Sequence, residues 1–296
     1  MNTEKLNVKH HVNREHRWGP FITQLLEMGR EGTMQLRTSR RYRRGLRDIP
    51  LDRKGQIKEK IGRLSLLFAI RPDLLSWWVG TLFMIGSALF IAGSVMQLYL
   101  SDHFSSFAIN LTYFIGSIFF TSAAYGQLLQ AINANIALLP STKEKQKSWR
   151  WWARGLRSPG FLSAASQFIG TILFNFNTFD AMYNFHSAAG EHLFIWVPNM
   201  IGSILFLVSS FFAWGEIYHD SYVKRFITVT WWVVWLNIIG SVLFQLSALY
   251  GYINPFTGAV PDGSLSVAFT LWGAVCFYVA AHLSNVELRE MKRSAV

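Results

Sequence analysis

The stretch "IGSILF" (201–206) recurs in near-copies along the chain: "IGSALF" (85–90), "IGSIFF" (115–120), "IGTILF" (169–174), "IGSVLF" (239–244) and the looser "WGAVCF" (272–277). Each copy sits in a long window without Asp, Glu, Lys or Arg: 74–101, 103–142, 158–179, 192–215, 226–261 and 263–286. A bilayer crossing needs about 20 apolar residues, and every window holds that many. The sequence therefore predicts six transmembrane helices, near 76–99, 108–132, 160–179, 194–216, 229–251 and 265–287. Strands of a membrane barrel would be about half as long and would alternate. Composition agrees: hydrophobic residues make up 51% and charged residues 15%, against about 25% charged in soluble domains.

Charge placement predicts orientation. Of 28 Lys and Arg, 17 lie in 1–71, six in 143–157, two at Lys224 and Arg225, and three in 289–293. The three remaining loops hold Asp102, Asp180, Glu191 and Asp262 instead. Basic loops stay in the cytoplasm, so both termini are expected there, with helix 1 acting as an uncleaved insertion signal. Trp77-Trp78, Trp151-Trp152, Trp214 and Trp231-Trp232 fall near the same helix ends, where indole favours the headgroup layer.

With the motif glycine as position zero, the odd helices carry Gly86, Gly170 and Gly240, and the even helices Gly116, Gly202 and Gly273. Position +4 is always phenylalanine: Phe90, Phe120, Phe174, Phe206, Phe244 and Phe277. Even helices share small residues at +7 and +8, and Gln130, Glu216 or Glu287 at +14. The unit is a helical hairpin used three times. It predicts an all-α integral membrane protein with parallel repeats around a pseudo-threefold axis along the membrane normal. Positions 0, +4 and +7 share a helix face. Small residues there let helices approach closely, where lipid supplies no hydrophobic drive. Phenylalanine at +4 is expected to cover a neighbour's glycine notch. The expected divisions are a basic N-terminal segment (1–70), hairpin 1 (71–140), a basic loop (141–157), hairpin 2 (158–220), hairpin 3 (221–288) and a tail (289–296).

The tandem hairpin, its paired aromatics, "NIIGSVLF" (237–244) and the closing "VSSFFAWGE" (208–216) resemble the YrhK-like family of small bacterial membrane proteins. The resemblance covers helices 3–6 best, helices 1–2 more loosely and 1–70 not at all. It implies the hairpin architecture and a bacterial inner membrane. It implies no activity and no catalytic residue.

Ionisable groups at membrane depth mark function by default, and His282 alone qualifies. Aromatic residues occupy its position in the other repeats, so packing is expected. Coupling to a proton or sodium gradient is disfavoured. Amides recur instead: Gln167, Asn237 and Asn199 at −3, Asn175 and Gln245 at +5, and Asn177 at +7. They are expected to cluster toward the outer half, either as interhelical hydrogen bonds or as a vestibule for a neutral or zwitterionic solute. Gln130, Glu216 and Glu287 would ring the cytoplasmic mouth.

Asp180, His186, Glu191 and His192 of the longest outer segment, with His103, lack the spacing of a zinc motif. No metal and no cofactor is expected, and the lone Cys276 reads as packing. No nucleophile with a base and no phosphate loop is present, so an enzyme is not expected. "RTSRRYRRGLR" (37–47) sets Arg40, Arg41, Arg43 and Arg44 beside a membrane, where anionic lipid attracts them. A nucleic-acid partner is not expected. "GPFITQLLEMGRE" (19–31) reads as a short amphipathic surface helix in a segment too thin for its own core. The first functional reading is a non-catalytic accessory or scaffold protein with an unknown protein partner. The alternative is an uncoupled channel or uniporter for a small solute. Sparse intramembrane charge favours the first, and the recurring amides favour the second.

Overall fold

A computed structural model describes residues 12–28, 34–45, 48–51, 70–134, 149–152, 158–183, 187–218 and 229–288. Most of the 141–157 loop, His186 and the 289–296 tail lie outside the described residues.

Six long helices dominate: α2 (Leu75–Tyr99), α3 (Ser106–Asn133), α4 (Pro159–Asp180), α6 (Val197–Tyr218), α7 (Val229–Tyr250) and α8 (Gly263–Val286). Five of them, all but α4, are long and apolar enough to cross a membrane, as in a multi-pass membrane protein. The exception, α4, carries Gln167, Asn175 and Asn177 beside its hydroxyl residues, and these amides dilute its apolar character. Side-chain oxygens cap several helices: the hydroxyls of Ser105 for α3 and Ser158 for α4 and the carboxylate of Asp262 for α8 each accept a backbone N–H of the first turn, satisfying donors the helix leaves unpaired.

Before α6 come a single turn, α5 (Ala188–Glu191), and a π-helical turn, His192–Trp196. The wide turn precedes Pro198, whose ring cannot donate to, and clashes with, the carbonyl four residues back. It also aims side chains sideways. Trp196 Nε1 donates to Ala248 O at 2.8 Å, and His192 Nδ1 lies 2.6 Å from Ile253 O. Among the described residues no three His, Cys, Asp or Glu side chains converge as a metal site.

Packing runs round a closed ring: α2 on α3, α3 on α4, α4 on α6, α6 on α7, α7 on α8, and α8 back on α2. The repeated motif assigns one job to each position. Position −1 faces outward: Ile85, Ile115, Ile169, Ile201, Ile239 and Trp272 are all exposed, forming an apolar band. Position +1 (Ser87, Ser117, Thr171, Ser203, Ser241 and Ala274) is buried. Several of these hydroxyls bond back to the preceding turn, as Ser117 Oγ does to Phe114 O at 2.8 Å and Ser241 Oγ to Asn237 O at 2.8 Å.

The glycine and the phenylalanine interlock reciprocally. A Cβ on Gly86 would lie 2.9 Å from Phe120 Cδ2 and from Gly116 O, and one on Gly116 would lie 2.9 Å from Phe90 Cδ2. Gly170 is closed by Phe206, Gly240 by Phe277, and Gly273 by Phe244 in the same way. Gly116→Ala is therefore expected to force a backbone neighbour, Gly86 O at 3.1 Å, as well as a ring. Overpacking of this kind costs about 1–3 kcal/mol. A thermal melt of the detergent-solubilised variant checks it, and an unchanged midpoint would contradict the interlock.

The N-terminal segment departs from expectation. It is a four-stranded antiparallel sheet in the order β1 (Val12–Trp18), β2 (Phe21–Met28), β3 (Met34–Thr38), β4 (Ile49–Leu51), with one turn of helix, α1 (Ser39–Arg43), between β3 and β4. The amphipathic helix expected over 19–31 is the strand β2. Its run Thr23-Gln24-Leu25-Leu26 is buried on both faces of the strand, which leaves no side for water. Gly19, at φ +56, and Pro20 make the two-residue turn that pairs Trp18 with Phe21; glycine enters that backbone region without a steric penalty. The segment also has a small core, Leu26, Leu36 and Leu51.

Candidate functional site

The six +4 phenylalanines meet at the centre of the ring. Phe90, Phe120, Phe174, Phe206, Phe244 and Phe277 are each 2–6% exposed and form one cluster with Ala274. Within each hairpin the two rings meet edge to face, at 5.3 Å (Phe90–Phe120), 5.0 Å (Phe174–Phe206) and 5.1 Å (Phe244–Phe277). Contacts between hairpins close the cluster: Phe90–Phe244 at 6.0 Å, Phe174–Phe244 at 5.8 Å, Phe120–Phe277 at 6.2 Å and Phe206–Phe277 at 5.9 Å. Edge-to-face pairs add about 0.5–1.5 kcal/mol beyond burial. Two layers arise because neighbouring helices run in opposite directions. Four residues past the glycine is about 6 Å along the axis, in one sense for odd helices and in the other for even ones.

Two cavities with polar groups in their walls flank the cluster. The one at the end opposite the sheet has a volume of about 230 Å³ and reaches Phe90, Phe174 and Phe244. Its polar lining includes Gln97, Asn110, Tyr113, Asn177, Asn199 and Thr270, and among the described residues no charged side chain lines it. The other, about 90 Å³, lies on the sheet side and reaches Phe206 and Phe277. Ser163, Gln167, Ser209, Ser210 and Asn237 contribute to its polar wall. All six long helices line both cavities.

The expected solute-path amides therefore divide. Position −3 gives Gln167 and Asn237 to the sheet-side cavity and Asn199 to the opposite one, together with Tyr113 and Thr270 at the equivalent positions. A single outer cluster is overturned by helix direction: the same offset lies below the glycine on odd helices and above it on even ones. Asn177 lines the opposite cavity. Asn175 and Gln245 line neither; Gln245 Nε2 lies 2.9 Å from Met200 Sδ.

At the sheet end, α1 is clasped by the three +14 residues. Arg43 Nη2 donates to Glu216 Oε2 at 2.8 Å, and Ser39 Oγ to Glu216 Oε1 at 2.7 Å. Arg44 pairs with Glu287, and Arg40 Nη2 reaches the same carboxylate at 3.3 Å. Thr230 Oγ1 donates to Glu287 Oε1 at 2.6 Å. Gln130 Nε2 donates to Ser76 Oγ at 2.8 Å, which donates to Arg44 O at 3.0 Å. Two glycines admit the cap: a Cβ on Gly160 would lie 2.7 Å from Arg43 Nε, and one on Gly215 would meet the Trp18 ring at 2.5 Å. Burial, then the charges of Arg40, Arg43 and Arg41, pushes the Arg44 guanidinium well below its ordinary value.

Arg40, Arg43 and Arg44 thus turn into the bundle, where the sequence placed them with Arg41 against lipid headgroups. Buried carboxylates on α6 and at the end of α8 need cationic partners, and this segment supplies them. Glu216 and Glu287, 2% and 3% exposed, are the cap's anchors. No family model, curated protein or solved structure matches the chain.

Proposed function

We propose that the protein is a passive membrane conduit for a small polar solute, with its path shut by the phenylalanine cluster and by the docked α1. One observation carries this reading: two cavities with polar groups in their walls, each lined by all six long helices, lie on either side of a cluster of six aromatic rings. A solid packing bundle has no need of polar groups at matched depth on both sides of a dry centre, whereas a hydrophobic constriction gates by excluding water. The uncharged lining of the larger cavity suits a neutral or zwitterionic solute. In this reading α4 is the sixth span. The three hairpins are YrhK-like repeats about a pseudo-threefold axis, the sheet end is cytoplasmic, and the membrane is a bacterial inner membrane. The Gly–Phe locks, present in all three hairpins and reciprocal at close range in the first and third, and the loop charges support these assignments. The band of exposed −1 residues meets the lipid.

Cysteine accessibility in intact cells tests the path. With Cys276→Ser as background, Asn199→Cys is expected to react with a membrane-impermeant maleimide and Asn237→Cys to stay protected, with Asp262→Cys as the exposed control. Protection of Asn199→Cys would remove the outward vestibule. The dense aromatic centre also favours the accessory or scaffold reading, which holds if no variant of the cluster conducts.

A further inference from the structure

We infer that the sheet-side cavity is a binding site for a small monovalent inorganic anion of the halide class. The cap carries Arg40, Arg43 and Arg44 into contact with two carboxylates, Glu216 and Glu287, all of them buried or nearly so. Both carboxylates are already engaged on both oxygens: Glu216 by Ser39 and Arg43, and Glu287 by Thr230, Arg40 and Arg44. Among the described residues lining this cavity or paired there, three guanidinium groups face two carboxylates, leaving one positive charge unmatched. Guanidinium does not lose its proton in a protein, and an isolated charge removed from water is costly. A bound anion removes that cost.

A second observation points to where it sits. Arg43 is among the residues lining the cavity, its side chain is 6% exposed, and its Nε is a buried donor without a hydrogen-bond partner. Across the same cavity lie the hydroxyls of Ser163, Ser209 and Ser210 and the amides of Gln167 and Asn237. Neutral donors beside one excess positive charge suit a weakly hydrated monovalent anion. The volume of about 90 Å³ leaves room for such an ion with a little water, since one water needs about 10–15 Å³ on the same measure. The inference does not depend on whether the path conducts.

Bromide is the probe. Crystals of the full chain grown in sodium bromide are expected to show an anomalous peak within hydrogen-bonding reach of Arg43 Nε. In detergent, wild-type protein is expected to melt higher in sodium bromide than in sodium gluconate at equal ionic strength. Arg43→Lys keeps a cation but loses the Nε donor, so the bromide concentration giving half the shift should rise at least tenfold. Glu216→Gln adds one uncompensated positive charge, so that concentration should fall. Opposite directions in the two variants separate a site from a general loss of fold. An empty cavity in the anomalous map, or an identical bromide response in wild type and both variants, would overturn the inference.

Discussion

Phe244→Ala is expected to connect the two polar cavities and to raise solute flux through reconstituted liposomes at least tenfold over wild type. Phe244 is the most connected ring of the cluster, lying 6.0 Å from Phe90, 5.8 Å from Phe174, 6.3 Å from Phe206 and 5.1 Å from Phe277. It also fills the Gly273 notch. Truncating a packed core phenylalanine costs about 3–5 kcal/mol, so the melting midpoint should drop clearly. The space left is bordered by cavities with polar walls, and a void that can be hydrated from either side fills with water where a sealed apolar one stays dry. Urea or glycerol equilibration, followed by light scattering, reads the flux. Phe176→Ala is the control: that ring is 57% exposed on the outer face of α4 and should change neither quantity much. A destabilised Phe244→Ala protein that remains as impermeable as wild type would leave the cluster as a packing core and return the protein to the scaffold reading.

Much of this centre was legible in the sequence, because a six-residue pattern repeated at membrane depth carries its own geometry. Isoleucine at −1 falls on one face of a helix, glycine at zero and phenylalanine at +4 on another, and the glycine notches filled by a partner's ring follow once consecutive helices are antiparallel. Following the antiparallel direction one step further would also have separated Asn199 from Gln167 and Asn237 by depth. The cap was not legible for two reasons. Phe21-Ile-Thr-Gln-Leu-Leu26 is a short apolar run whose period fits helix and strand alike, although the Gly19-Pro20 turn between Trp18 and Phe21 was a hairpin cue. The arginines, moreover, find partners far away in sequence, Glu216 lying 173 positions after Arg43. No local pattern encodes such a pairing. The one available sign was that Glu216 and Glu287 end their hairpins at the same position, at depths where a bare carboxylate is not tolerated.

Glu287→Ala is expected to unlock the cap while leaving the helix bundle intact. The Glu287 side chain is 4% exposed and takes Arg44, Arg40 and Thr230 together. Removing one partner of a buried pair costs about 3–5 kcal/mol, because the remaining charge is stranded, whereas replacing both partners with apolar residues is often nearly neutral. The single variant should therefore lose its N-terminal sheet to limited proteolysis many times faster than wild type, with helical circular dichroism preserved. Glu287→Leu combined with Arg44→Leu should regain part of the protection; the recovery is incomplete because Arg40 stays without its carboxylate. If the cap is the second barrier on the path, Glu287→Ala alone should leave flux low, since the phenylalanine layers still close the centre. Adding it to Phe244→Ala should raise flux beyond that of Phe244→Ala. Equal flux in the single and double variants would confine the closure to the six rings and make the docked arginines a fastening for the sheet. Unchanged proteolysis in Glu287→Ala would mean that the sheet is held by Trp18 against Phe211 and Phe212, at 5.4 and 5.9 Å, more than by its ion pairs.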